Sequence, residues 1–314
     1  MIKDFKENTE IVENLFITNV VRGVTNKNVP YLNITFQDSS GQIEGRKWTV
    51  VDEDADIFVK RTIVQVTGQV IKYSNSLQIK VMSGKKLDLS EEEIYNFAPA
   101  SPVERRLLQK ELLRFLAEID NEDVKKVVEY AISKNEPYFW TFPAATKNHH
   151  EYISGLLEHT IGMLKCAEGI IKVYPKLNKS LLYGGIILHD MGKIPELGDA
   201  LAPYYTVAGH LIGHISIMQA EIAEICRFLK VDEEVSLLLQ HLVLSHHGLK
   251  EYGSPVVPLT REAEVLAALD NLDAKMNMID KALNDVPPGE FSGRSPGLDN
   301  RLFYQPKLSK KELD

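Results

Sequence analysis

Along the first ninety residues, hydrophobic and polar positions alternate, which is typical of β-strands that bury one face. In the segment Tyr31-Leu32-Asn33-Ile34-Thr35-Phe36, for example, every second residue is apolar. Turn-forming residues such as Asp38-Ser39-Ser40-Gly41 separate the alternating runs. The pattern predicts strands at residues 15–24, 30–36, 42–50, 63–73 and 77–81, and one short helix at 54–59.

From about residue 103 the spacing of apolar residues changes to the helical period, so the second part of the chain is predicted to be all-α. Predicted helices cover residues 107–119, 153–174, 181–191, 212–229, 234–247 and 262–283. The amphipathic helices between 103 and 134 could pack within the chain or on a second copy of it. A homo-oligomer therefore stays open at this point.

Two clusters of turn-forming residues, Ser83-Gly84-Lys85-Lys86 and Pro99-Ala100-Ser101-Pro102, indicate a linker between these two parts. We predict a β domain at 1–90, a linker at 91–102, an all-α domain at 103–284 and an irregular C-terminal tail at 285–314. The tail is either an unordered end or a strap over a pocket, and its sequence does not decide between the two.

The predicted β domain has five strands and a helix between the third and the fourth, which is the order of elements in an OB-fold barrel. Residues 31–43 and Val66-Thr67-Gly68-Gln69-Val70 also resemble the OB-fold family found in the anticodon-binding domains of tRNA synthetases. The usual ligand of that family is single-stranded nucleic acid. The resemblance thus implies a binding face, with stacking and phosphate contacts from Tyr31, Arg46, Lys47, Lys72 and Tyr73. The alternative is that these are ordinary surface residues.

Composition and charge narrow the classes of function. The net charge is −8 at pH 7, which argues against a wholly basic nucleic-acid-binding protein. Residues 14–82, however, hold eight Lys/Arg and six Asp/Glu, and four of those acids lie together at 52–56. The two cysteines, Cys166 and Cys226, fall in predicted helices, so no disulfide framework is expected. The sequence shows neither an apolar run of about 18–20 residues nor an apolar leader, so we expect a cytoplasmic protein without a membrane partner.

The pair His189-Asp190 follows directly on an apolar run, residues 181–188. A buried carboxylate without a partner costs several kcal/mol, and a bound metal ion would remove that cost. Further candidate ligands lie in predicted helices: His159, His210, His214, His246, His247 and Asp270. Each has an ordinary alternative, since a lone buried histidine is usually a hydrogen-bonded core residue.

Neighbouring histidines on one helix point about 100° apart, so only one of His246 and His247 is expected to be a direct ligand. His210 and His214 lie four residues apart and share a face if one helix contains both. We expect the remaining histidines to lie outside the ligand set, together with His210: His149, His150 and His241.

In combination, His159, His189-Asp190 and Asp270 occur in the order that characterises the HD-domain phosphohydrolases, and the chain resembles that superfamily. His214 and His246 resemble the extra ligands of members that hold a second metal ion. The segments 149–160, 189–193 and 269–275 match as well. An OB-fold followed by an HD domain resembles the YhaM family of bacterial 3′-to-5′ exoribonucleases, over nearly the whole chain.

This resemblance implies one divalent cation on His159, His189, Asp190 and Asp270, and a second, bridged by Asp190, on His214 and His246. Imidazoles and carboxylates without a thiolate favour Mn²⁺, with Fe²⁺, Mg²⁺, Co²⁺ or Ni²⁺ as alternatives. Two such ions would clamp a phosphodiester and activate a water molecule. Besides Asp190, the expected catalytic residues are Lys193, which would neutralise phosphate charge, and His247. The latter would protonate the leaving oxygen, bind phosphate, or only support its neighbours.

Three hypotheses about function remain. The first is a metal-dependent 3′-5′ exoribonuclease that hydrolyses single-stranded RNA, or DNA, to nucleoside 5′-monophosphates. The second is a nucleotide or cyclic-dinucleotide phosphohydrolase, although a small substrate needs no strand-binding barrel. The third is a regulator that binds nucleic acid without catalysis, although the complete set of costly polar groups argues against it.

Overall fold

Two hydrophobic cores form in this chain, one from strands and one from helices. The computed structural model describes residues 1–74, 76–145 and 152–308. The chain divides into two compact units, Met1–Ala100 and Ser101–Asp314. The predicted fold class, a β domain followed by an all-α domain, is confirmed.

The strands of the first unit close into a barrel. They are β1 (Glu10–Val24), β2 (Pro30–Asp38), β3 (Gly41–Trp48), β4 (Ile63–Tyr73) and β5 (Ser76–Leu87). Their order around the barrel is β1-β2-β3-β5-β4, and β4 also pairs with β1. Only β3 and β5 run parallel among the paired strands described. The short helix α1 (Asp52–Ile57) lies between β3 and β4, so the predicted OB-fold barrel is confirmed.

Alternation of side chains fills the barrel, because successive residues of a strand face opposite sides. On β2 the residues Leu32, Ile34 and Phe36 are buried, while Asn33 and Thr35 between them remain partly exposed. The inward residues of β4 and β5 complete the core: Val64, Val66, Val70, Ile79 and Val81.

The predicted end of the fifth strand, at residue 81, was wrong. The sequence Ser83-Gly84-Lys85-Lys86 suggested a linker, but it belongs to β5, which continues to Leu87 opposite β4. Gly84 is needed here for packing, since a Cβ atom at this position would lie 2.7 Å from the ring of Phe58. A glycine that close packing requires inside a strand can therefore be mistaken for a turn residue.

The second unit is helical. Its helices are α3 (Arg105–Ala117), α4 (Glu122–Asn135), α5 (Gly155–Val173), α6 (Lys179–Leu188), α7 (Lys193–Leu197), α8 (Val207–Leu211), α9 (His214–Leu229), α10 (Glu233–Ser245) and α11 (Arg261–Leu283). The last helix of the first unit, α2, spans Glu91–Ile94. None of the helices in the described part of the chain combines the length and apolar character that a bilayer span requires.

Helix α6 is the centre of the helical core. Every residue from Ser180 to Leu188 is buried, and the helix contacts α4, α5, α10 and α11. Its start is fixed by Asn178, whose side-chain oxygen accepts a hydrogen bond from the backbone N–H of Leu181. Because α6 is enclosed on all sides, the residues that follow Leu188 are carried into the protein interior.

The described part of the C-terminal tail folds back on itself. Isolated bridges join Phe291 to Tyr304 and Ser295 to Arg301, on either side of a short 3₁₀ turn, Pro296–Leu298. Leu298 is buried, and this turn contacts α11. Between residues 286 and 308, the tail forms no helix or strand that is longer than this turn. The reason is that few of its apolar residues follow a regular period.

Candidate functional site

The end of α6 places His189 and Asp190 at the site. The helix stops at Leu188, and a tight turn leads through Gly192 to Lys193, where α7 begins. A Cβ atom at Gly192 would overlap the backbone carbonyl of His214, at the start of α9. The glycine therefore permits the close approach that brings α9 next to Asp190.

Four side chains form what we call the first ligand group: His159 from α5, His189 and Asp190 after α6, and Asp270 from α11. One nitrogen or oxygen of each lies within 4.8 Å of the others. His159 Nε2 lies 3.3 Å from His189 Nε2 and 3.3 Å from Asp270 Oδ1. The atoms thus surround a volume of the size that one cation would occupy.

Three histidines form the second ligand group: His214 at the start of α9, and His246 and His247 just after α10. Asp190 connects the two groups, because its Oδ2 lies 3.4 Å from His189 Nε2, while its Oδ1 lies 3.6 Å from both His214 Nε2 and His246 Nε2. One carboxylate therefore offers a different oxygen to each group.

Unpaired polar atoms show that this arrangement suits cations. Asp190 Oδ1, His214 Nε2 and His246 Nε2 are buried, and none of them has a hydrogen-bond partner among the described residues. Buried polar atoms of this kind are rare, since each costs about 1–3 kcal/mol. All three are electron-pair donors that converge on one place, so a divalent cation would satisfy them together.

The histidine rings are held in the orientation that metal binding requires. The Nδ1–H groups of His189 and His246 donate to the backbone carbonyls of Ile186 and Val243, each at 2.7 Å. A carbonyl can only accept, so Nδ1 carries a hydrogen in both rings, and in a neutral ring the Nε2 then offers its lone pair to the site. Backbone partners of this kind fix the tautomer and the direction of a metal ligand.

The electrostatics also favour positive charge at the first group. Burial alone would lower the pKa of His159, but hydrogen bonds with Asp270 and Asp273 overcome burial and raise it to about 10. For Asp190, burial acts to raise the pKa, yet Lys193 and His189 hold it well below its usual value. The carboxylates are therefore ionised, and their negative potential would bind a cation in place of a proton.

In the second group, burial favours the neutral form of two of the histidines. Burial, followed by the neighbouring rings of His189 and His247, holds the pKa of His246 well below its usual value. Burial also lowers the pKa of His247. Neutral imidazoles keep their lone pairs free, which is the state in which histidine binds a metal.

Lys193 is buried and ion-paired, with its Nζ 2.6 Å from Asp190 Oδ2. Both His246 and His247 bring a ring nitrogen into the second group.

The other histidines lie away from the two groups or outside the described residues. His210 belongs to α8, is exposed and stacks against Tyr205 at a ring distance of 5.2 Å. His241 accepts a hydrogen bond from the backbone of Leu259. His149 and His150 fall outside the described residues.

Two carboxylates at the site escaped the sequence analysis. Asp273 Oδ2 lies 2.7 Å from His159 Nδ1, and Glu196 Oε2 lies 3.1 Å from His214 Nδ1. Asp273 could have been found from its spacing, because it follows Asp270 by three residues and shares its helix face. Glu196 gave no such signal, because its helix α7 has only five residues.

A second cluster lies on the outer face of the barrel, around Arg46 of β3. The guanidinium carbon of Arg46 lies 5.9, 5.5 and 5.6 Å from the ring centres of Tyr31, Trp48 and Tyr73. We call these four residues the aromatic face. Trp48 was missed by the sequence analysis, although the period of two places it on the same side as Arg46. Tyr73 and Trp48 are exposed and available for stacking.

The two lysines that were predicted to contact nucleic acid, Lys47 and Lys72, are not part of the aromatic face. Lys47 points to the other side of β3, where its Nζ lies 3.4 Å from the buried Asp54 Oδ2 of α1. The prediction that it contacts phosphate therefore conflicts with its position, because its charge is already paired and largely buried. Lys72 is exposed near the end of β4.

Comparisons with known proteins place these observations in context. Residues 156–275 match the HD domain family. The chain is 43% identical over 301 residues to the 3′-5′ exoribonuclease YhaM of Shouchella clausii (strain KSM-K16), covering 96% of this chain and 94% of that protein. It is 40% identical over 302 residues to the protein of the same name from Bacillus subtilis (strain 168), with 96% of each chain covered.

Among solved structures, the second OB-fold domain of replication protein A from Methanococcus maripaludis matches 29% of this chain and 95% of its own, at 22% identity and a TM-score of 0.24.

Proposed function

This chain belongs to the YhaM family of 3′-5′ exoribonucleases, and we propose that it hydrolyses single-stranded RNA from the 3′ end in a metal-dependent reaction, releasing nucleoside 5′-monophosphates. The observation that carries the proposal is the shared carboxylate. Asp190 presents one oxygen to each of two ligand groups, and the oxygen toward the second group has no hydrogen-bond partner among the described residues.

We propose two cations per chain. His159, His189, Asp190 and Asp270 would hold the first, and Asp190, His214 and His246 the second. A site of imidazoles and carboxylates suits Mn²⁺, with Fe²⁺, Mg²⁺ or Co²⁺ as alternatives. When bound, such ions would neutralise charge on a phosphodiester and activate water as the nucleophile at neutral pH.

The protein residues would orient the reaction. Lys193 holds Asp190 by its ion pair and adds a fixed positive charge beside the scissile phosphate, where charge builds up in the transition state. His247 donates its Nδ1–H to the carbonyl of Tyr252, at 2.8 Å, so its Nε2 faces the second group as an acceptor. We therefore favour His247 as a ligand or a phosphate-side acceptor over a proton donor to the leaving oxygen.

The aromatic face would hold the strand upstream of the cleavage point. Tyr31, Trp48 and Tyr73 offer ring faces for bases, Arg46 a cation for stacking or phosphate, and Lys72 a charge for the backbone. Because the barrel and the helical unit belong to one chain, a strand bound to the barrel stays at a high effective concentration for the active site.

The test is a shortening assay on chelator-treated protein supplied with Mn²⁺. A 5′-labelled RNA oligonucleotide should yield a ladder of products that lose nucleotides from the 3′ end, and the released product should be nucleoside 5′-monophosphate. Parallel reactions with DNA of the same sequence and with a cyclic dinucleotide measure the substrate range. A protein that cleaves only the small substrate would overturn the proposal.

Asp190→Asn is the matched inactive variant. The amide keeps the size of the side chain but removes the charge shared by both groups, so we expect turnover to fall by at least about 1000-fold. Asp280→Asn is the control, because Asp280 is an exposed residue of α11. Activity of Asp190→Asn close to that of Asp280→Asn would contradict the proposed role of the carboxylate.

A further inference from the structure

Two carboxylates lie directly behind the proposed ligands, and each contacts a different ligand group. Asp273 belongs to α11 and contacts His159, with Oδ2 2.7 Å from Nδ1. Glu196 belongs to α7 and contacts His214, at 3.1 Å from its Nδ1. The two pairs share no residue and no helix among those described.

The packing around Asp273 makes room for this contact. A Cβ atom at Gly162, which follows His159 on α5 by three residues, would lie 2.6 Å from Asp273 Oδ1. Any larger residue at 162 would therefore push the carboxylate away from His159. The position of Asp273 thus depends on a glycine in the facing helix as well as on α11 itself.

Glu196 is held even more firmly. It is buried, and its Oε1 accepts hydrogen bonds from both the backbone N–H of His214, at 2.9 Å, and its ring Nδ1–H, at 3.1 Å. One carboxylate therefore fixes the start of α9 and the direction of the ring it carries.

From these contacts we infer that Asp273 and Glu196 are positioning residues, each dedicated to one ion of the proposed two-metal site. Asp273 orients His159 for the first ion, and Glu196 orients His214 for the second. This inference rests on the proposed metal-dependent function. Its consequence is that the two ions can be weakened separately, although they share Asp190.

The two ions should also differ in affinity. The first group contains two carboxylates, Asp190 and Asp270, whereas the second contains three imidazoles and only the shared carboxylate. Since attraction for a divalent cation grows with the negative charge of its ligands, the first ion should bind more tightly. Titration of metal-free protein with Mn²⁺ should therefore show two successive binding events.

Calorimetric titration with MnCl₂ tests the assignment. Asp273→Asn and Glu196→Gln keep an oxygen that accepts a hydrogen bond but remove the charge that strengthens the imidazole as a ligand. We expect Asp273→Asn to weaken the tighter event by about 10–100-fold and leave the weaker event unchanged. Glu196→Gln should weaken the second event by a similar factor and leave the first unchanged.

Controls separate this role from a merely structural one. Asp280→Asn on α11 and Glu224→Gln on α9 remove exposed carboxylates from the same or an adjacent helix and should alter neither event. Asp273→Glu and Glu196→Asp retain the charge but displace it, and each should weaken the same event as its amide counterpart. The metal-free variants should keep the helical circular dichroism spectrum and the cooperative unfolding of the wild-type protein.

Shortening of RNA, measured on the same samples, distinguishes the possible failures. Variants that bind both ions as the wild type does, in a protein that shortens RNA, would overturn the assignment and leave the proposed function intact. Equal weakening of both events by each variant would also overturn it. Separable events without any shortening of RNA would support the assignment and contradict the proposed function. Wild-type protein that binds no Mn²⁺ would overturn both.

Discussion

At the scale of single residues, the chemistry depends on which atom of a side chain faces which partner. The two oxygens of Asp190 differ: Oδ2 is close to Lys193 and His189, while Oδ1 is close to His214 and His246. Sequence reasoning identified the residue, because a charge at the end of an apolar helix needs a partner. It could not show which oxygen of Asp190 faces which partner, because that depends on how four helices pack together.

The outer face of the barrel leads to a prediction at the same scale. Trp48→Ala should weaken binding of a single-stranded RNA oligonucleotide by about 5–150-fold, because stacking of one base on an aromatic ring contributes about 1–3 kcal/mol. Fluorescence anisotropy of labelled RNA, with Asp190→Asn as the background to prevent cleavage, measures the change.

Two control variants accompany Trp48→Ala. Tyr174→Ala removes an exposed ring of the helical unit, 62% exposed, and should leave RNA binding unchanged. Lys47→Ala removes a lysine whose charge is paired with Asp54 behind the aromatic face, so it should affect binding much less than Trp48→Ala. If Lys47→Ala had the larger effect, the aromatic face would not be the binding surface.

At the scale of elements, the long helices of the second unit were predictable and its five-residue helices were not. Helices α5, α9, α10 and α11 follow the apolar period, and their observed bounds lie within two residues of the prediction. The five-residue helices α7 and α8 were missed, because one turn of helix shows no period. Both helices carry or support residues next to the site. Because α7 was not predicted, the role of its residue Glu196 was not predicted either.

The central helix α6 provides the prediction for stability. Leu182 is fully buried in the helical core, so Leu182→Ala should lower the free energy of unfolding of this unit by about 2–5 kcal/mol. Leu113→Ala on α3 is the control, since Leu113 is 63% exposed and its loss should change stability by no more than about 0.5 kcal/mol.

The two tryptophans make this measurement specific. Trp48 lies in the barrel and Trp140 in the helical unit, and the sequence contains no others. In a Trp48→Phe background, fluorescence during denaturant unfolding reports the helical unit alone. Equal effects of Leu182→Ala and Leu113→Ala would show that α6 is not the centre of the core.

At the scale of the whole molecule, the fold class and the order of the two units follow from the change of period near residue 103. The site was predictable in part, because His159 and Asp270 are polar residues on otherwise apolar helix faces. Asp273 and Glu196 contact ligands rather than an apolar surface, so their roles required the structure. The misplaced linker at 83–86 has a similar cause, as Gly84 serves a contact with Phe58 that lies outside its own segment.

Metal removal should affect the two units differently. A ligand that binds only the folded state stabilises it by about 2.7 kcal/mol when its concentration is 100 times the dissociation constant. Mn²⁺ should therefore raise the unfolding temperature of the helical unit, and a chelator should lower it again. The signal of Trp48, followed in a Trp140→Phe background, should not change with Mn²⁺. A shift of the barrel alone would contradict the assignment of the metal ligands.

The ion pair between Lys193 and Asp190 bears on how such a protein matures. The ammonium lies on the oxygen that also faces His189, so the chain carries an internal counter-charge for its most deeply enclosed acid. A newly synthesised copy can therefore bury that acid before any metal ion binds, and the ion pair persists when the ions arrive. Assembly of the fold and activation of the enzyme thereby become two separate steps.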